Sequence, residues 1–134
     1  MIKQVFNVES YWKVIVWYSL DYNLFYLVEE DLIEAGISRP NLETLYWMMH
    51  SGRAKAVTFS NEILHVSIVI FNIHESKADY IDSIVHEAEH VKQAMLRSYQ
   101  VEDEGESPAY TIGYLVGRMW EVFRELVCIQ CKQT

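Results

Sequence analysis

The residues best suited to chemistry lie in one short segment, His86-Glu87-Ala88-Glu89-His90. The two histidines are four positions apart, so on a helix their imidazoles project from one face and can bind the same metal ion. The glutamate that follows the first histidine is placed to act as a general base toward metal-activated water. The segment therefore predicts a hydrolytic metal site with His86 and His90 as ligands and Glu87 as base.

The surrounding pattern supports this interpretation. At about 100° per residue, apolar side chains form one stripe along the predicted helix, and both histidines fall on the opposite side, with Glu87 between the two faces. The stripe consists of Ile81, Ile84, Val85, Ala88, Val91 and Met95. Histidines that avoid the apolar stripe are poorly explained as buried core residues. A solvated surface pair is the alternative interpretation.

A third metal ligand has to come from elsewhere in the chain, because a catalytic zinc normally takes three protein ligands and a water. The residues directly after the motif, Val91-Lys92-Gln93-Ala94-Met95-Leu96, supply no third histidine, so we expect a carboxylate, which together with two imidazoles suits zinc. Glu106 is preferred, since Pro108 marks the start of the last predicted helix and a helix N-terminus favours an ionised carboxylate. The alternatives are Glu102, Glu104 and Glu121.

The motif His86-Glu87-Ala88-Glu89-His90, followed by Glu106-Ser107-Pro108-Ala109, resembles the gluzincin branch of zinc metallopeptidases. In that branch a second helix supplies the third ligand from a Glu-x-x-Ala/Ser-Asp type of motif. The two segments are also similar to small HExxH proteins of bacteria and their phages. The resemblance covers about residues 63–116 and implies a minimal zincin-like fold, with zinc bound by His86, His90 and Glu106 and with Glu87 as base.

The sequence departs from the gluzincin pattern in two places. Tyr110 replaces the aspartate that orients a ligating histidine, and we expect its hydroxyl either to take over that role or to stabilise an oxyanion. The spacing from His90 to Glu106 is also short, because a helix that continues to Tyr99 ends about 13 Å beyond His90. The intervening loop must turn back to bring Glu106 to the metal.

Periodicity and helix-breaking residues predict the elements that position the motif. A strand is predicted at 11–19, helices at 22–35 and 41–50, a hairpin at 54–59 and 63–73 with its turn at Ser60-Asn61, and helices at 77–99 and about 107–131. This order indicates the α+β class. We expect one domain, residues 1–134, in which a small, mostly antiparallel sheet packs on the HExxH helix and the C-terminal helix.

Composition narrows the classes of function. The 134 residues are 51% hydrophobic and carry a net charge of −8, which disfavours binding to nucleic acid and docking to anionic lipid. No stretch reaches the ~18 apolar residues of a membrane helix and no signal-peptide pattern opens the chain, so a cytoplasmic protein is expected. Cys128 and Cys131 form a lone C-x-x-C, best interpreted as ordinary thiols.

Two functions are compatible with these observations. The first is a zinc-dependent metallopeptidase that hydrolyses a peptide or protein substrate with metal-activated water. The alternative is a catalytically inert zincin-like module that binds a metal or a protein partner. It is favoured by the length of 134 residues, which leaves little chain for the second lobe of most zincins, and by the many aromatic residues, if they form exposed patches.

Overall fold

Helices cover both faces of a central sheet. The computed structural model describes the backbone of residues 1–133 and the side chains of residues 1–126. The elements follow in the order β1 (Ile2–Val8), β2 (Trp12–Tyr18), α1 (Phe25–Glu34), α2 (Arg39–His50), β3 (Ala56–Asn61), β4 (Val66–Phe71), α3 (Lys77–Tyr99) and α4 (Glu106–Gln133). A short 3₁₀ turn, Tyr22–Leu24, precedes α1.

The sheet is mixed, and its strands lie in the order β1-β2-β4-β3. β1 and β2 form one antiparallel hairpin, β3 and β4 form a second, and β2 and β4 join the two hairpins as a parallel pair. The α+β class is therefore confirmed. The zincin-like arrangement is a finer statement, and it stays a prediction.

Alternation along the strands sends side chains into two hydrophobic cores. Val14, Val16 and Tyr18 of β2 pack toward α3 and α4, whereas Ile15 and Trp17 pack toward α1 and α2. Because helices cover both faces, every residue of β4 is buried. The sequence predicts a sheet packed on α3 and α4, and those two helices do cover one of its faces. The other face is covered by α1 and α2, which the prediction does not place.

The first strand and the turn of the second hairpin differ from the sequence prediction. β1 is not predicted, because Gln4 on its covered face and Val5 on its exposed face break the alternation of polar and apolar residues that indicates a strand. The turn lies at residues 62–65 rather than at Ser60-Asn61, which belong to β3. The side-chain oxygen of Asn61 accepts the N–H groups of residues 63 and 64 at 2.9 and 3.0 Å and so shapes the turn.

The helix that carries the HExxH motif has the bounds that the sequence predicts. The Ser76 hydroxyl accepts the N–H of Asp79 at 3.1 Å and caps its start, and Gln100 ends it in the left-handed conformation.

At the other end of the chain, the side chains of Cys128 and Cys131 lie outside the described residues. Among the described helices, none has both the length and the apolarity that a membrane crossing needs.

Gly36 lies where the end of α1 closely approaches Asn61, the last residue of β3. Its φ of +90° is one that residues with a Cβ rarely adopt, and an added Cβ would lie 2.9 Å from Asn61 Nδ2. That amide donates to the carbonyl of Ala35 at 3.1 Å while its oxygen shapes the β3–β4 turn. Gly36 therefore helps to place the strand that borders the candidate site.

We expect Gly36→Ala to lower the free energy of unfolding by about 2 kcal/mol, because the left-handed backbone becomes strained and Asn61 must shift. Gly113→Ala is the matched control, since Gly113 lies at an exposed position of α4 with open space around it. There the same change should stabilise by about 0.5–1 kcal/mol. Urea unfolding of the two variants measures both effects, and equal stabilities would contradict this account.

Candidate functional site

His86 and His90 lie on one exposed side of α3. Their Nε2 atoms are 3.1 Å apart, and the two rings meet edge to face with centroids 4.8 Å apart. One helical turn separates the residues, so this convergence follows directly from their spacing of four. In a hydrogen bond between two imidazoles, one ring nitrogen carries the proton and donates it, and the other is unprotonated and accepts it. An unprotonated ring nitrogen is also the form that binds a metal.

Glu87 lies deeper than the sequence pattern predicts. It is 3% exposed and belongs to the buried face of α3, whereas Ile81 and Val85, assigned to the apolar stripe, are exposed. The Thr58 hydroxyl donates to Glu87 Oε2 at 2.8 Å. Burial raises the pKa of the Glu87 carboxyl, and the Thr58 hydrogen bond and the two nearby imidazoles oppose that rise.

A cavity of about 580 Å³ lies where the outer strand β3 meets α3. Met48 of α2 lines one side, and residues 54–58 and Ser60 line the strand side. The lining residues from α3 are Asp82, Ser83, His86, Glu87, His90, Ala94 and Arg97. The cavity thus brings both imidazoles and the buried carboxylate to the open edge of the sheet.

Side-chain contacts fix β3 and α3 side by side, running in the same direction. Lys55 pairs with Asp79 at 3.3 Å, near the start of both elements. Glu62, just past the end of β3, accepts from Arg97 Nε at 2.8 Å, and its carbonyl accepts from Ser98 at 2.8 Å. Thr58 and Glu87 lie between these pairs, in the middle of the cavity.

A second polar contact fixes the first turns of α3. His74 is buried, with Nδ1 at 2.7 Å from the carbonyl of Asn72 and Nε2 at 2.7 Å from Ser83 Oγ. Its ring stacks on Tyr80 with centroids 4.2 Å apart. Because Nδ1 donates to the carbonyl, Nε2 of the neutral ring accepts the Ser83 hydroxyl. His74 therefore ties the segment after β4 to the cavity wall.

The distance between the two histidine nitrogens is close to the distance between two zinc ligands. Two nitrogens bound tetrahedrally to zinc at 2.0–2.1 Å lie about 3.3 Å apart. The observed Nε2 separation is 3.1 Å, and both rings line the cavity. Two of the three predicted ligands therefore lie close together, at a separation compatible with the binding of one zinc ion.

The predicted third ligand and Tyr110 lie elsewhere. Glu106 is exposed at the start of α4 and does not line the cavity. Tyr110 is 75% exposed and lines a different cavity, of about 350 Å³, with Glu9 and Tyr114 among its neighbours. The roles of Glu106 as a ligand and of Tyr110 in catalysis stay predictions.

Buried Lys92 accounts for the position of the loop before α4. It pairs with Glu89 at 2.9 Å and with Asp103 at 3.0 Å, so the loop does turn back along α3. Lys92 lies about 200° around the helix from His90. The loop therefore returns along the side of α3 away from the histidines.

The other acidic candidates do not complete a ligand set. Glu102, Glu104 and Glu121 are exposed and lie outside the cavity lining. Over the part of the chain with described side chains, no three His, Cys, Asp or Glu residues form a metal-binding group. Besides Glu87, the carboxylate that lines the cavity is Asp82.

Two residues that line the cavity, Asp82 and Thr58, are not among the site residues that the sequence predicts. Asp82 precedes His86 by four positions and His90 by eight, and this spacing indicates that all three side chains lie on the same face of the helix. Thr58 is distant in sequence from the motif, and only the packing of β3 on α3 brings its hydroxyl to Glu87.

Comparison of the chain with models of protein families, with curated proteins and with solved structures finds no match. The resemblance to gluzincins therefore depends on the two short motifs alone.

His74 gives a testable pH dependence. Burial lowers the pKa of its imidazole below the ordinary 6.5, so the unfolded chain takes up a proton before the folded one as the pH falls. The free energy of unfolding should therefore decrease from about pH 7 to about pH 5, more steeply in the wild type than in His74→Gln. Urea unfolding across this range measures the slopes, and His50→Gln controls for loss of an exposed imidazole. Equal slopes for wild type and His74→Gln would contradict the assignment.

Proposed function

We propose that this chain is a zinc-dependent hydrolase that cleaves peptide bonds in an extended substrate. One observation carries the proposal: the imidazoles of His86 and His90, with Nε2 atoms 3.1 Å apart, line the same cavity as the buried carboxylate of Glu87. Two metal ligands and a candidate general base thereby share one concave site, which is the arrangement that metal-assisted hydrolysis requires.

The metal would be held by His86, His90 and a carboxylate. Glu106 is the carboxylate that the sequence resemblance implies, and Asp82 is the one that lines the cavity one turn before His86. A divalent cation held there supplies a Lewis acid that activates water and polarises the substrate carbonyl.

Glu87 acts as the proton-transfer group. Its carboxylate takes a proton from the attacking water and returns it to the leaving amine. The two imidazoles lie near it on α3, and the Thr58 hydroxyl hydrogen-bonds one of its oxygens. Tyr110, which lines a different cavity, has no step in this scheme.

The substrate lies along the outer edge of the sheet. β3 is an outer strand, and residues 54–58 and Ser60 line the cavity. An extended peptide can pair with such an edge through main-chain hydrogen bonds, which places its carbonyls beside α3. Met48, Ala54 and Ala56 give this part of the cavity an apolar lining suited to substrate side chains.

The second candidate function is an inert zincin-like module that binds a metal or a protein partner. Exposed aromatic side chains, including Tyr11, Tyr26 and Trp47, offer contacts for a partner. If the purified protein contains one zinc ion per chain but shows no cleavage of a denatured protein that a chelator abolishes, this function is favoured over the hydrolase.

Elemental analysis tests the metal site. Wild-type protein purified without added zinc should contain about one zinc ion per chain, and His86→Ala and His90→Ala should lose it because two ligands do not replace three. His50→Ala, at an exposed position on α2, is the control and should keep the metal.

The same measurement identifies the third ligand. Zinc loss in Glu106→Gln with retention in Asp82→Asn assigns Glu106, and the reverse result assigns Asp82. A wild-type protein free of metal, or retention of zinc in both histidine variants, would refute the site.

Glu87→Gln separates catalysis from binding. We expect this variant to keep zinc and to lose about 10²–10⁴-fold in the rate of cleavage of denatured casein, because an amide does not accept the proton. Glu89→Gln is the matched control, since Glu89 lies in the same motif but pairs with Lys92. Turnover by Glu87→Gln at the wild-type rate would exclude Glu87 as the base.

A further inference from the structure

The two oxygens of the Glu87 carboxylate are held differently. Glu87 is almost completely buried, and its Oε2 accepts a hydrogen bond from the Thr58 hydroxyl at 2.8 Å. A glutamate side chain has three rotatable torsions, and a general base must keep its accepting oxygen within hydrogen-bond reach of the proton that it takes. The hydrogen bond to Oε2 removes much of that freedom and leaves Oε1 for proton transfer.

Thr58 is itself held in place by the sheet. It lies in the middle of β3, paired with Val69 of the fully buried strand β4. Its β-branched side chain restricts rotation about χ1. The ion pairs Lys55–Asp79 and Glu62–Arg97 join β3 to α3 on either side of it. The hydroxyl is therefore a fixed point on the strand against which the glutamate on the helix is oriented.

We propose that Thr58 is a positioning residue for Glu87. Its hydroxyl fixes one carboxylate oxygen so that the other is aligned for proton transfer, an inference that rests on the proposed function. Groups that orient a catalytic side chain act on the chemical step, and their loss typically lowers activity 10- to 100-fold. A contact that only stabilised the fold would change the unfolding free energy and leave turnover per folded molecule unchanged.

The test compares three substitutions in the full chain. Thr58→Val removes the hydroxyl and keeps the shape, Thr58→Ser keeps a hydroxyl, and Thr44→Val makes the same change on α2, where the hydroxyl bonds the carbonyl of Pro40 at 3.0 Å. With fluorescein-labelled denatured casein as substrate, Thr58→Val should lower the apparent kcat about 10- to 100-fold with KM and zinc content unchanged. Thr58→Ser should recover most of the lost rate, and Thr44→Val should match the wild type.

A second measurement does not depend on activity. In metal-free protein, urea unfolding of Thr58→Val, Glu87→Leu and the double variant forms a double-mutant cycle. Because the two side chains contact each other, the losses of stability should be non-additive. Additive losses would show that the hydrogen bond does not form in solution and would overturn the inference.

The outcomes separate this inference from the proposed function. Wild-type protein without chelator-sensitive cleavage overturns the proposed function, and the positioning role with it. An active wild type with Thr58→Val at the wild-type kcat, or with Thr58→Ser as impaired as Thr58→Val, overturns the positioning role alone. A fall in kcat that serine reverses, combined with non-additive stabilities, supports it.

Discussion

The hydrogen bond between Thr58 and Glu87 is the contact on which the site depends, because it joins the edge of the sheet to the helix that carries both imidazoles. Burying a carboxylate costs free energy unless a partner satisfies it, and here the strand supplies that partner. Lys55–Asp79 and Glu62–Arg97 bracket the contact. A slip of α3 along β3 would break all three contacts together, so they fix the alignment of the two elements.

The placement of the helices explains why the cavity forms at β3. α1 and α2 cover one face of the sheet and α3 and α4 the other, and the outer strand β3 lies at the margin of both hydrophobic cores, where Ala56, Val57 and Phe59 are only partly buried. Met48 on one side and α3 on the other flank that strand and line the cavity together with it. Glu87 is buried beside this edge, within the apolar face of α3, while the histidines one residue before and three residues after it face outward.

Much of this arrangement is readable from local sequence. The Ser76 cap and the 3.6-residue period give the bounds of α3, and the spacing of His86 and His90 predicts their convergence. Tertiary contacts decide the rest. β1 departs from strict alternation at Gln4 and Val5, so its strand follows from pairing with β2 rather than from a local pattern. The loop before α4 follows the Lys92–Asp103 ion pair, a contact between residues eleven positions apart that no local pattern encodes. Thr58 reaches Glu87 only through the packing of β3 on α3.

The open edge of β3 also has a consequence for colloidal behaviour. An outer strand with free main-chain groups is a template on which another copy of the chain can add its own strand, and such addition leads to aggregation. Charged side chains flank β3 at both ends: exposed Lys55 before it and partly exposed Glu62 after it, each also paired with a residue of α3. A second β3 stacked antiparallel would bring opposite charges together, whereas a parallel, in-register copy would place like charges side by side. Electrostatic repulsion therefore discourages the parallel stacking from which fibrils commonly grow.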